Sequence, residues 1–175
     1  DWSSDVCSSD LVFNADSYPA FGLQTMGEKA IAATQPDGNM SLDLKIEQVK
    51  QYPTKDGEVT EILLKDKVYP FEIKQYYKAY QGTDIISTWI EIMNNGKKSV
   101  TLYRFVSAYL PVQRGDNWLT HFHGHWGAEN MLEEEKLTNG QKVISNKDGM
   151  VNTETDNPSF MLSIDGKPQE EYGHI

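Results

Sequence analysis

His121, His123 and His125 alternate along one short stretch. On a continuous β-strand alternate residues share a face, so three imidazoles would point the same way. Such a row is a candidate ligand set for zinc or another transition metal. Gly124 stands inside the row and no carboxylate is placed by sequence as a supporting partner, so the competing reading is three hydrogen-bonded histidines without a metal. The sequence favours that second reading, and no metal or cofactor is expected.

Carboxylates are the second source of chemistry. Acid/base work on a glycosidic bond needs two of them facing each other across a cleft. Glu133, Glu134 and Glu135 are consecutive, so their side chains diverge, and a charge run of this kind reads as a solvated face. No catalytic residue is assigned. Serine-nucleophile elbows, phosphate-binding glycine loops and dinucleotide fingerprints do not occur. The nine tyrosines and four tryptophans offer flat faces suited to sugar rings. Trp89 lies within an apolar strand and is expected in the core. Trp118 and Trp126 remain as exposed candidates for contact with a sugar.

The elements that position these residues are strands. Ile86, Thr88, Ile90 and Ile92 alternate with Ser87, Trp89, Glu91 and Met93, which predicts a strand with one aliphatic face. Phe71 to Tyr80, Ile85 to Asn94 and Ser99 to Leu110 read as three consecutive β-runs forming a meander. Gln81-Gly82-Thr83-Asp84 and Asn94-Asn95-Gly96-Lys97 are its two tight hairpin connections. Upstream, Ala30 to Thr34 and Leu42 to Ile46 flank the turn Gln35-Pro36-Asp37-Gly38-Asn39 and suggest another hairpin. Tyr52 to Glu58, with Pro53 and Gly57, reads as an exposed loop, and Val59 to Lys65 as a strand.

Downstream, Trp118 to Trp126 is a strand. Ala128 to Leu137 is compatible with a short helix or an edge strand. Lys142 to Ser145, Met150 to Thr153 and Phe160 to Ile164 complete at least nine strands. The fold class is all-β, a large antiparallel two-sheet sandwich.

The 175 residues are enough for one core without disulfide or metal staples. With 26 acidic against 16 basic side chains and no basic groove lined by aromatics, nucleic acid and anionic membranes are disfavoured as partners. No apolar run is long enough for a bilayer span, and the compartment, cytoplasmic or exported, stays open. Residues 1–11 are Ser- and Asp-rich, lack periodicity and look like the translation of a sequencing adapter. They carry Cys7, the single cysteine, so residues 12–175 are expected to form the domain and to use no thiolate chemistry. The abrupt stop at Ile175, where an apolar residue opens a new run, suggests a fragment cut at both ends.

From Tyr18 onward the chain resembles the N-terminal β-supersandwich domain of glycoside hydrolase family 36, the α-galactosidases. Tyr18-Pro19-Ala20-Phe21-Gly22 is similar to the family's Tyr-Pro-x-aromatic-Gly opening. Gln35-Pro36-Asp37-Gly38 with Leu42-Asp43-Leu44 is similar to the strand pair that follows. Ile85-Ile86-Ser87, Asn94-Asn95-Gly96 and Val100-Thr101-Leu102 resemble the central hairpin. Leu119-Thr120 with His123-Gly124-His125-Trp126, and then Asp156-Asn157-Pro158-Ser159-Phe160, resemble the Gly-x-Trp and Asn-Pro-x-Phe blocks near the domain's end.

The resemblance implies a retaining, exo-acting enzyme on terminal α-galactosides. Its aspartate nucleophile and aspartate acid/base belong to a (β/α)8 barrel after this domain, and neither lies in these residues. It implies a homo-oligomer, structural roles for Tyr18, Pro19, Gly22, Gly124, Asn157 and Pro158, and an isolated chain without activity. Leu23 to Lys29 lacks the Asp and Arg of the segment that reaches a neighbouring sugar pocket in some members. The alternative from another class is a free-standing carbohydrate-binding or structural sandwich, since a fold alone does not fix a function.

Overall fold

The computed structural model describes residues 18–22, 28–110, 112, 115–138, 142–145 and 159–168. Among them the ordered elements are nine strands and no helix, and every strand pairing is antiparallel. The expected all-β antiparallel class is what the chain adopts. It divides into two compact units, Asp1–Pro111 and Val112–Ile175.

The first unit holds β1 (Ile31–Thr34), β2 (Leu44–Thr54), β3 (Gly57–Asp66), β4 (Phe71–Tyr80), β5 (Ile86–Asn94) and β6 (Thr101–Phe105). β2 to β5 form a four-stranded meander, and β1 pairs with β6 in a separate two-stranded sheet. Register puts Leu64, Ile73 and Ile92 side by side on one face of the meander. The core forms there: Phe71, Ile73 and Leu64 pack with Ile31 and Ala33 of β1 and with Tyr18, Ala20, Leu42 and Leu44. Alternation at period two makes this possible, because all the aliphatic positions of one strand reach a single side.

The opening motif ties into this core through its backbone. Pro19 carbonyl accepts the Ala30 N–H at 2.7 Å, and Phe21 carbonyl accepts the Leu42 N–H at 3.0 Å. Gly22 has φ +101°, and a Cβ there would lie 2.6 Å from Ser41 Cα, so both conformation and space require glycine.

Asn94-Asn95-Gly96-Lys97 does not join two paired strands, because β6 pairs with β1 and not with β5. Asn94 satisfies its own loop instead: its Oδ1 accepts from Gly96 N–H and its Nδ2 donates to Lys98 carbonyl. Asn95 N–H is held by Pro70 carbonyl at 2.8 Å, which lets the chain leave the meander. The turn at Gln35 to Asn39 forms, with Gln35 N–H donating to Asn39 carbonyl, yet β1 and β2 likewise belong to different sheets.

Tyr52 to Glu58 is not a loop but the tip of the β2–β3 hairpin. Pro53 is tolerated because β2 is an outer strand of its sheet. Gly57 is needed because a Cβ would sit 2.0 Å from Ala79 carbonyl on β4. Trp89 is not in the core. It is 37% exposed and lies on the opposite face from Ile90 and Ile92, stacked on Tyr76 with centroids 4.8 Å apart.

The second unit is a three-stranded sheet in the order β8, β7, β9, built from β7 (Trp118–His125), β8 (Ala128–Lys136) and β9 (Phe160–Ser163). Ala128 onward is therefore the edge strand and not the helix. Lys142 to Ser145 is outside any strand, with Lys142 engaged in an ion pair with Glu135. Residues 1–11, Leu23 to Gly27, Met150 to Thr153, Asn157 and Pro158 lie outside the described residues. No helix among the described residues is long and apolar enough to cross a membrane.

Candidate functional site

β7 is the central strand of the second unit, so its side chains are covered by neighbours on both edges. Antiparallel register sets His121 opposite Glu133 of β8 and Phe160 of β9. Leu119 stands opposite Glu135, and His123 opposite Met131. Directly opposite residues share a face, and alternate residues along a strand do too. Leu119, His121, His123, Met131, Glu133 and Glu135 therefore occupy one side of this sheet.

On that side His121 is 4% exposed. Its Nε2 is 3.5 Å from Glu133 Oε2 and 3.9 Å from Glu135 Oε1. His123 Nε2 is 3.6 Å from the same Glu133 oxygen. Lys142 forms an ion pair with Glu135 Oε1. Among the described residues neither ring nitrogen of His121 has a hydrogen-bond partner. Buried polar atoms left this way are costly, which marks the imidazole as unusual.

The predicted row of three histidines is not what converges. One imidazole nitrogen and two carboxylate oxygens, from His121, Glu133 and Glu135, lie within 4.8 Å of one another. His125 is exposed and sits beyond a register shift, where His123 pairs with Met131 but His125 with Ala128. The irregularity spans Gly124 on β7 and Glu129 and Asn130 on β8, and Asn130 takes φ 54° there.

The Glu run is corrected as well. Glu133 and Glu135 project to the same face, while Glu134 points to the other and pairs with Lys167 at 3.3 Å. The signal available in the sequence was the spacing of two between Glu133 and Glu135, which matches the spacing of two between His121 and His123. Two carboxylates projecting in parallel from one strand do not flank a glycosidic bond.

The two candidate sugar-facing tryptophans separate. Trp126 sits in the β7–β8 turn, next to Gly127 with φ +82°, and is 85% exposed. Trp118 is half-buried, with Lys167 Nζ 5.7 Å from its ring centroid. Close by, the Lys136 ammonium 2.6 Å away holds the Asp116 carboxyl below the usual carboxylate range.

Residues 6–175 match the family described as glycosyl hydrolase family 36 N-terminal domain. The chain belongs to this family. The α-galactosidase AgaA of Geobacillus stearothermophilus is 24% identical to it, over 95% of this chain and 25% of AgaA. The bifunctional α-galactosidase/sucrose kinase AgaSK of Mediterraneibacter gnavus is 25% identical, over 64% of this chain and 12% of that protein.

The fold is also that of solved relatives. The crystal structure of the α-galactosidase AgaB from G. stearothermophilus superposes with a TM-score of 0.77 at 24% identity, covering 83% of this chain and 22% of AgaB. The α-galactosidase from Lactobacillus brevis gives 0.72 at 20% identity, covering 84% and 22%. This family 36 N-terminal domain thus spans a quarter or less of the length of these relatives.

Proposed function

We propose that this chain is the non-catalytic N-terminal domain of a retaining exo-α-galactosidase, acting on terminal α-galactosides through a catalytic (β/α)8 barrel that it supports within a homo-oligomer. The observation that carries the reading is the match of nearly the whole chain to an N-terminal-domain family and to a quarter of the length of α-galactosidase AgaA. Residual apolar surface agrees with it. Ile46 and Val49 of β2 and Ile86 of β5 are all more than half exposed, and register puts them on the same face of the meander as the core residues. A face of that character suits further protein.

Trp126 is the residue on which we place any contact with the galactoside or its aglycone. An exposed indole at a turn tip has a free ring face for stacking. Trp118, half-buried against Lys167, is a poorer candidate.

The test is to recover the reading frame on either side of residues 1–175 and express the extended protein. The extended protein should contain a barrel with two carboxylates and hydrolyse an aryl α-galactoside, whereas the 175-residue chain should not. Hydrolysis by the 175-residue chain alone, or an extended protein with no such barrel, would overturn the proposal.

A further inference from the structure

We propose that His121, Glu133 and Glu135 form a binding site for one divalent transition-metal cation of the zinc class, clipping the edge strand β8 to the central strand β7. The inference is independent of any galactosidase activity and rests on the geometry of the second unit alone.

Three observations converge. The first is separation. Zinc bonds to imidazole nitrogen and carboxylate oxygen at about 2.0–2.2 Å, so two ligands of a tetrahedral ion stand roughly 3.4 Å apart. His121 Nε2 is 3.5 Å from Glu133 Oε2 and 3.9 Å from Glu135 Oε1, and all three ligand atoms fall within 4.8 Å of one another. The second is the state of the histidine. It is buried, aims Nε2 at both carboxylates, and neither ring nitrogen has a hydrogen-bond partner among the described residues. A metal bond to Nε2 supplies the interaction that the described protein groups do not.

The third is charge and ligand type. Two carboxylates neutralise one divalent ion. The imidazole nitrogen disfavours calcium and magnesium, which take oxygen ligands, and the carboxylates disfavour monovalent copper. His123 Nε2, 3.6 Å from Glu133 Oε2, is a positioning residue for that carboxylate. The Lys142 ammonium on Glu135 is the resident cation that the metal displaces.

The experiment is a titration of the full 175-residue chain, stripped with a chelator, with Zn2+ by calorimetry and with Co2+ by visible absorption. One-to-one binding in the micromolar range or tighter is expected, together with a thermal midpoint that rises with Zn2+. Glu133→Gln and Glu135→Gln change half-buried side chains, so the strand signal in circular dichroism should persist while affinity falls by at least about tenfold, the smallest loss that follows even from removing a group that only supports a ligand. Lys142→Gln should tighten binding, and His125→Gln should leave it unchanged.

Absence of saturable binding would overturn the proposal. So would affinity that survives both Glu variants, or affinity that is lost with His125→Gln, which would return the site to the row of three histidines.

Discussion

The hydroxyl of Tyr18 donates to the carbonyl of Val106 at 2.7 Å and lies 3.3 Å from the Val106 N–H, joining the opening motif to the end of β6 across 88 residues. The ring is buried in the core of the first unit. Burial raises the phenol's pKa, against the opposing effect of the Val106 backbone. The same burial makes the hydrogen bond hard to replace with water.

Tyr18→Phe should keep the ring packing and lose this bond, leaving the Val106 carbonyl short of a donor. A loss of about 1–2 kcal/mol is expected, read as a lower midpoint in equilibrium urea unfolding. An unchanged midpoint would mean that water satisfies the carbonyl.

Alkaline pH should act on Tyr76. Burial first, and then its hydrogen bond to Glu91 Oε2 at 3.1 Å, push this phenol up to about 12. The folded-state value is above the ordinary value near 10, so the stabilisation is complete below about pH 10 and lost as pH climbs through about 12. Tyrosinate absorbance near 295 nm should show a late-titrating group that vanishes in Tyr76→Phe. A titration curve identical in both proteins would refute the assignment.

Glycine substitutions should separate space from conformation. At Gly57 an added Cβ would lie 2.0 Å from Ala79 carbonyl, a backbone atom of the adjacent strand, so Gly57→Ala must push β3 from β4. At Gly38 φ is +89°, with nothing among the described residues within 4 Å of an added Cβ. Gly38→Ala should cost about 1 kcal/mol. Gly57→Ala should cost at least about 3 kcal/mol, the upper end for overpacking. Thermal melts of the two variants give the comparison, and equal shifts would contradict it.

Tryptophan replacements should diverge for a related reason. Trp89 stacks on Tyr76 with an interplanar angle of 7°, and such pairs contribute about 0.5–1.5 kcal/mol beyond area burial. Trp126 is 85% exposed in a turn. Trp89→Ala should therefore lower the unfolding midpoint clearly, while Trp126→Ala should stay within about 0.5 kcal/mol of the parent. A large loss at Trp126 would show that its ring is covered in solution.

Strand identity was legible because it is local. Period-two alternation marks Phe71 to Tyr80 and Ile86 to Asn94 without reference to anything distant, and those strands stand as β4 and β5. The opening motif, the turn before Leu42 and the block near Trp126 were also readable. Together they carried the family resemblance, which the match over residues 6–175 bears out.

Partner choice was not legible, because it depends on which surface buries the most apolar area and on where backbone donors find acceptors. Asn94 to Lys97 has hairpin residues, yet the bond from Asn95 N–H to Pro70 carbonyl releases the chain toward β1. Trp89 alternates with isoleucines, and only the packing of β1 against the opposite face decides that it stays outside. The convergence of His121 with Glu133 and Glu135 belongs to the same class. The spacings are written in the sequence, but it takes the β7–β8 register, set by the turn at Trp126 and Gly127 and the bulge at Asn130, to bring one imidazole onto two carboxylates. A shift of one residue would have turned those side chains to opposite faces of the sheet.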